Sequence, residues 1–355
     1  MERKDYWFSG NGDSGKKYRQ EYVDSINRFI DKMQNDAKKI RTEHCRDILK
    51  DPEKYRAEYC EMLGFPLNRP IDHTAPKVKS EYIGSDCECK VYRCQIEVFE
   101  DFYFYGILFL TDENEKRPFV ISQHGGLGTP ELCSSFGDSS NYNNMTRRIV
   151  EKGFNVFAPQ LLLWRTENTD EPQYDRKNLD GALRMVGSSM TAVEVYSIIK
   201  TLDYFCTKPY VDTEKIGMVG LSYGGYYTLN VAAIDKRIKS AVACSHFNAR
   251  TKYHWSDYCY QSASEKLLDA ETALLIRPRK FQIFVGNRDE LFDSETARAE
   301  YERIKEFDKN YLNASSCTYQ DPDEYFVADK EQETFERYEQ TFPYKEKKNT
   351  DTQIF

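Results

Sequence analysis

The chain has 355 residues and carries 50 lysines and arginines against 58 aspartates and glutamates, a formal net charge of -8. That length admits one large domain with additions, or two medium ones, around a sizeable core. The mild acidity argues against nucleic acid or an anionic membrane as the main partner.

The start, Met1-Glu2-Arg3-Lys4-Asp5, has no apolar signal core, and no run approaches the roughly 20 apolar residues of a membrane span. The expectation is a cytoplasmic protein with no membrane partner. Ten cysteines are scattered without paired spacing, and Cys87, Cys89 and Cys94 have no histidine or second thiol pair at ligand distance. They read as reduced thiols, so neither a metal nor a cofactor is expected.

Tyr22, Ile26, Phe29, Ile30, Met33, Ala37 and Ile40 recur at helical spacing, and Asp51-Pro52 opens a second helical stretch that stops at Gly64-Phe65-Pro66. These helices either pack on the rest of the chain or pair with another subunit in a homo-oligomer. From Lys77 the texture changes: Val91 to Phe99 and Phe102 to Leu110 predict two antiparallel strands closed near Glu100-Asp101. Phe119 to Ser122 is a short buried strand, Asn144 to Lys152 a helix, Phe154 to Ala158 a strand, and Ser188 to Phe205 a long helix.

Ile216 to Val219 then enters Gly220-Leu221-Ser222-Tyr223-Gly224-Gly225, followed by a helix from Tyr226 to Ile234. Strands Ser240 to Cys244 and Phe281 to Val285, helix Ser294 to Phe307, a strand around Cys317 to Tyr319 and helix Lys330 to Tyr338 complete the pattern. Alternating strands and helices predict an α/β fold, a mostly parallel sheet with helices on both faces. Reacting groups in such a sheet gather beyond the C-terminal ends of its strands. Two longer segments leave from that edge, one with Trp164, Arg165 and Arg184, the other with His246, Phe247, Tyr253, His254, Trp255, Tyr258 and Tyr260. Both are expected to line a substrate pocket.

Gly-x-Ser-x-Gly between a strand and a helix is the nucleophile elbow, whose small flanking residues permit a sharp reversal and expose the Ser222 hydroxyl above the sheet. A serine needs a base, and an oxyanion needs donors already aimed at it. His124-Gly125-Gly126-Leu127-Gly128 follows a strand and offers backbone N–H groups, with the Tyr223 N–H completing the hole. Asp289, in Gly286-Asn287-Arg288-Asp289, occupies the place of the orienting acid, with Asp293 its neighbour and competitor. The base is missing from its usual place: the histidines are His44, His73, His124, His246 and His254, and none follows residue 254.

Together His124-Gly125-Gly126, Val219 to Gly225, and Ala273 to Arg279 followed by Gly286-Asn287-Arg288-Asp289 resemble the α/β-hydrolases, specifically dienelactone hydrolases and acetyl-xylan-esterase-like proteins. The elbow Ser-Tyr-Gly-Gly-Tyr is also similar to that of prolyl-oligopeptidase-type enzymes, whose propeller domain this chain is too short to hold. The chain thus divides into an N-terminal helical extension (1–75), a domain that by this resemblance is an α/β-hydrolase domain (76–343), interrupted by insertions at 160–187 and 246–279, and a polar tail (344–355). The resemblance further implies Ser222 as nucleophile, Asp289 as acid, and oxyanion donors at Tyr223 and Gly125-Gly126. His124, Trp164 and Arg165 are grouped with these as oxyanion or substrate-binding residues. Where the family's Gly-His-x-Phe segment belongs, this chain reads Asp323-Glu324-Tyr325-Phe326, so Glu324 stands in the place of histidine.

Four readings follow. Glu324 is a carboxylate base near Asp289; His246 reaches the serine from another side; the pocket binds without turnover; or Glu324 is an engineered substitution. The leading function is hydrolysis of a small-molecule or saccharide-linked ester. Its competitors are a lyase or glycoside-cleaving reaction using Glu324 and Asp289, and a catalytically inactive ligand-binding protein.

Overall fold

Asp51 and Pro52 separate two N-terminal helices for a local reason. In the computed structural model, which describes residues 13–138, 144–163, 174–250, 256–286, 289, 291–308 and 317–320, α1 spans Lys16–Lys50 and α2 spans Pro52–Leu63. The Asp51 side chain accepts the Lys54 N–H at 3.2 Å, and proline at the first helical position leaves no N–H unsatisfied. The C-terminal part of α1 docks through buried Ala37, Arg41, Cys45 and Ile48, with Arg41 Nε 3.3 Å from Glu271 Oε2.

Among the described residues nine strands form one sheet. They are β1 (Val78–Asp86), β2 (Cys89–Phe99), β3 (Phe102–Leu110), β4 (Arg117–Gln123), β5 (Asn155–Pro159), β6 (Val211–Leu221), β7 (Ile238–Cys244), β8 (Lys280–Phe284) and β9 (Cys317–Gln320). Their order is β1-β2-β3-β5-β4-β6-β7-β8-β9. Pairing is antiparallel from β1 to β5 in that order and parallel from β5 to β9. The remaining helices are α3 (Pro130–Cys133), α4 (Met145–Val150), α5 (Arg176–Met185), α6 (Met190–Phe205), α7 (Tyr223–Ile234), α8 (Asp269–Leu274) and α9 (Ser294–Asp308).

Two features differ from the sequence expectation. The antiparallel part has three strands, because β1 pairs with β2 from Val78↔Ile96 to Asp86↔Cys89. Its mostly exposed, mixed sequence hides it from hydrophobic periodicity. The first insertion also contains a helix, α5, capped by the Asp175 side chain on the Asn178 N–H at 3.1 Å. The expected helix Lys330 to Tyr338 lies outside the described residues. Among the described residues no helix is long and apolar enough to cross a membrane.

Burial follows position in the sheet. Every residue of β4 is buried, as for a central strand covered on both faces, whereas β2 alternates buried with less buried residues. α7 is buried at every position from Tyr223 to Ile234, which fits its apolar, all-round composition. The register brings the strand ends level: Gln123 pairs with Gly220, Leu221 with Cys244, and Cys244 with Phe284. β4 and β6 flank the point where the strand order reverses, the crevice where open α/β sheets bind ligands.

Candidate active site

Ser222 leaves β6 and enters α7 with φ 55° and ψ -120°, a conformation that side-chain-bearing residues adopt only under constraint. The constraint is visible in its neighbours. A Cβ on Gly220 would overlap the Gly224 carbonyl, and one on Gly224 would overlap the Gln123 carbonyl and lie 2.9 Å from that of His124. Glycine at both positions therefore lets the elbow close on itself and press against the loop after β4. The Ser222 N–H donates to the Cys244 carbonyl at 2.8 Å, and its carbonyl accepts the Tyr226 N–H at 3.1 Å. Its hydroxyl makes no capping hydrogen bond to the helix.

The first N–H groups of α7, beginning with Tyr223, have no intrahelical acceptor, and the helix dipole adds to their positive field. The backbone after β4 lies against Gly224 through the Gln123 and His124 carbonyls and continues into the loop Gly125-Gly126. His124, fully buried, braces this loop: its Nε2 accepts the Leu161 N–H at 3.0 Å, and its Nδ1 lies 2.9 Å from the Gly125 carbonyl. The expected oxyanion group thus divides. Tyr223 opens α7 directly after Ser222, while the His124 ring acts on the backbone of its surroundings.

Asp289 lies beyond β8. Its Oδ1 accepts the Leu291 N–H at 2.9 Å and the Phe292 N–H at 2.8 Å, while Oδ2 is buried with no hydrogen-bond partner among the described residues. Burial raises this carboxyl above its ordinary value, against the opposing pull of those N–H groups, the Ser245 hydroxyl and His246. Asp293, its competitor, bonds at 3.3 Å to the N–H groups of Glu295 and Thr296 at the start of α9.

His246 sits just past β7 and is fully buried. Its Nδ1 is 2.6 Å from the Tyr258 hydroxyl, and its Nε2 is 3.3 Å from Asp269 Oδ2. A neutral ring protonated at Nε2 satisfies both contacts, accepting from Tyr258 and facing Asp269. Burial lowers its proton affinity, outweighing the opposite influence of Asp269. The ring is enclosed by Tyr226, Tyr258 and Phe292 at centroid distances of 5.3, 5.4 and 5.3 Å. Both nitrogens are thus engaged by groups other than Ser222. Glu324, His254, Trp164 and Arg165 lie outside the described residues.

Sequence reasoning missed the buried ionic groups around the elbow helix. Arg176 of α5 donates from Nε to Asp257 at 2.6 Å, from Nη1 and Nη2 to Glu194 of α6 at 3.1 Å, and from Nη2 to the Tyr227 hydroxyl at 2.8 Å. Burial opposes its charge, but Glu194, Tyr227 and Asp257 outweigh that and hold it firmly protonated. Asp257 also accepts the Tyr223 hydroxyl at 3.1 Å. The hub therefore joins both insertions to the residue after the nucleophile. At the root of the first insertion the Tyr174 hydroxyl donates to the Leu163 carbonyl. Arg176 and Asp257 are 81 positions apart, so no local spacing announces the pair.

A model of the dienelactone hydrolase family matches residues 132–351. YtaP of Bacillus subtilis is 31% identical over 119 residues, 31% of this chain and 40% of YtaP, so the match spans less than half of that relative. Acetyl xylan esterase 1 from Thermoanaerobacterium superposes with a TM-score of 0.57 at 13% identity, covering 82% of this chain and 94% of that one. A glucuronoyl esterase from Solibacter usitatus gives 0.55 at 13%, covering 81% and 91%. These superpositions agree with the strand order in showing the α/β-hydrolase fold. With the family model covering more than half of its length, the chain belongs to the dienelactone hydrolase family.

Proposed function

We propose that this chain is a serine-dependent carboxylic ester hydrolase that uses Ser222 on a small-molecule or carbohydrate-linked ester. The observation that carries this reading is the strained backbone of Ser222 at the head of a buried helix, packed through Gly224 against the Gln123 and His124 carbonyls. A hydroxyl held there attacks the ester carbonyl carbon as a base takes its proton. The carbonyl electrons move onto oxygen, which the N–H of Tyr223 and those of the loop receive. Collapse breaks the ester C–O bond and releases the alcohol with that proton; water then repeats the attack, frees the acid and restores Ser222.

The described histidines are engaged elsewhere. His73 pairs with Asp203 at 2.9 Å, His44 lies against Tyr55, and His124 and His246 have the partners given above. We assign the base to Glu324, which the sequence places in the family's histidine position, with Asp289 as the acid; Glu324 and His254 lie outside the described residues. Two carboxylates sharing a site raise one another's proton affinity, which brings one of them closer to the range a base needs. The names of the two superposed esterases support a saccharide-derived ester as substrate.

Labelling by a fluorophosphonate probe tests the nucleophile. The wild type is expected to label and turn over aryl acetates, and Ser222→Ala to do neither, with turnover reduced by about 10⁴-fold or more. A folded wild type that does not label overturns the reading.

A second reading draws on the raised carboxyl of Asp289: acid–base chemistry by Asp289 and Glu324 in a lyase or glycoside-cleaving reaction. It requires turnover that survives Ser222→Ala and fails in Glu324→Gln. If the folded wild type shows no turnover of its own and neither substitution changes that, a ligand-binding role without catalysis replaces both.

A further inference from the structure

We propose that residues 16–36 of α1 form an antiparallel two-helix interface with a second copy of this chain. No residue between Lys16 and Asp36 is buried; burial in α1 begins at Ala37. Yet this half presents large apolar side chains to solvent, with Tyr22 68%, Phe29 61% and Met33 51% exposed. A helix that only meets water needs no such face.

The pattern is that of a seam. Val23, Ile26, Ile30 and Met33 alternate by three and four, as heptad positions a and d do; Ala37 keeps the spacing but is already covered within the chain, so the open seam ends at Met33. Tyr22 and Phe29 fall on g and widen the face. The e positions are the neutral amides Gln20, Asn27 and Gln34, while Glu21, Asp24, Arg28, Asp31 and Lys32 fall on b, c and f, away from the seam.

Charge selects the occupant. A helix lying on an anionic membrane carries a polar face rich in lysine and arginine, whereas residues 16–36 set Glu21, Asp24, Asp31 and Asp36 against Lys16, Lys17, Arg19, Arg28 and Lys32, a near-balanced mixture. Charges at e and g discriminate between partner helices, and the e positions carry none, so a second copy meets no like charge there. Orientation follows from Lys16 and Arg19, which occupy a and d. A parallel pair sets each against its own copy. An antiparallel pair, with Ile26 facing the other copy's Ile30 and Val23 facing its Met33, closes four apolar layers about a two-fold axis. It also sets Arg19 beside the other copy's Asp36.

Sedimentation velocity of the full chain over a range of concentrations tests this. The wild type is expected to be a dimer. Ile26→Asp with Ile30→Asp is expected to dissociate it, weakening association by at least about 100-fold because charge enters closed apolar layers, with ester turnover unchanged and a melting temperature that no longer rises with concentration. Arg19→Asp is expected to weaken the dimer by about tenfold, and adding Asp36→Arg to restore it. A wild type that stays monomeric overturns the proposal, in favour of cover from within the chain if Ile26→Asp with Ile30→Asp lowers the melting temperature, and of a different protein if it does not. A dimer that persists in that double variant places the interface elsewhere and overturns it too. Failure of Asp36→Arg to rescue Arg19→Asp overturns the antiparallel register.

Discussion

Two carboxylates act on His246, and they are built in opposite ways. Asp269, in α8, is saturated: Arg250 Nε donates to Oδ1 at 2.7 Å, the Asn248 N–H donates to Oδ2 at 3.0 Å, and His246 Nε2 lies 3.3 Å from Oδ2. Burial pushes its proton affinity up, but Arg250 and His246 outweigh that and hold it well below the usual carboxylate range. Asp289, at the sheet edge, has one oxygen on two backbone N–H groups and the other buried without a partner among the described residues. Asp269 is surrounded by donors, whereas Asp289 buries one oxygen without a hydrogen-bond partner among the described residues, at some cost to the folded state, which supports our proposal of Asp289 as the acid.

The largest expected effect tests Asp289. Asp289→Asn keeps an oxygen for the Leu291 and Phe292 N–H groups but removes the charge, so turnover of an aryl ester falls by about 10³-fold or more. Its melting temperature does not fall, because burial makes this charge unfavourable in the folded chain. Activity near that of the wild type would place Asp289 with Asp269 as a structural group.

Asp269→Asn is the reverse case. It leaves Arg250 buried without its counter-charge, and removing one partner of such a pair costs about 3–5 kcal/mol. Urea unfolding checks this, and a loss below about 1 kcal/mol would erase the contrast.

How much of this was legible in the sequence depends on range. The elbow at Ser222-Tyr223 was readable because it lies in contiguous residues: a strand, a glycine, a turn, a helix. β4, β6 and β7 were readable because burial on both faces makes apolar runs. β1 was not, since its residues are largely exposed, and α5 was not, since polar Arg176–Asp180 opens it within a loop-like stretch. The environment of His246 depends on Tyr258 and Asp269, which only the packing of α8 against α7 brings together. A histidine at a strand end therefore read as a candidate base, whereas its contacts are those of a core residue.

Tyr223 sharpens the distinction between side chain and backbone at the elbow. Tyr223→Phe removes the hydroxyl that Asp257 accepts and is expected to cost about 1–2 kcal/mol in stability. Turnover changes little, since the proposed donor is its N–H. A large fall in kcat with stability intact would give the hydroxyl a direct part in the reaction.

The smallest effect is one of pH. Burial sets the folded-state value of His246 below its ordinary 6.5, so as pH falls the unfolded chain takes up this proton first. The stability contributed by neutral His246 is complete above about 6.5 and is lost as pH falls through the folded value. Urea midpoints between about pH 7 and 5 are expected to decline in the wild type and to decline less in His246→Gln. Equal slopes would remove His246 as a source of acid sensitivity.

The tie between Tyr174 and Leu163 has a consequence for redesign. The intervening residues, Trp164 and Arg165 among them, start and finish at a closed base that Arg176 reinforces from Leu162, whose carbonyl accepts Nη1 at 2.9 Å. A segment whose ends are already held together can be exchanged for one twice as long at about 0.6 kcal/mol of additional closure entropy. The fold thus holds Leu163 and Tyr174 together whatever joins them, and a graft between the two tests the expectation that this insertion lines the substrate pocket.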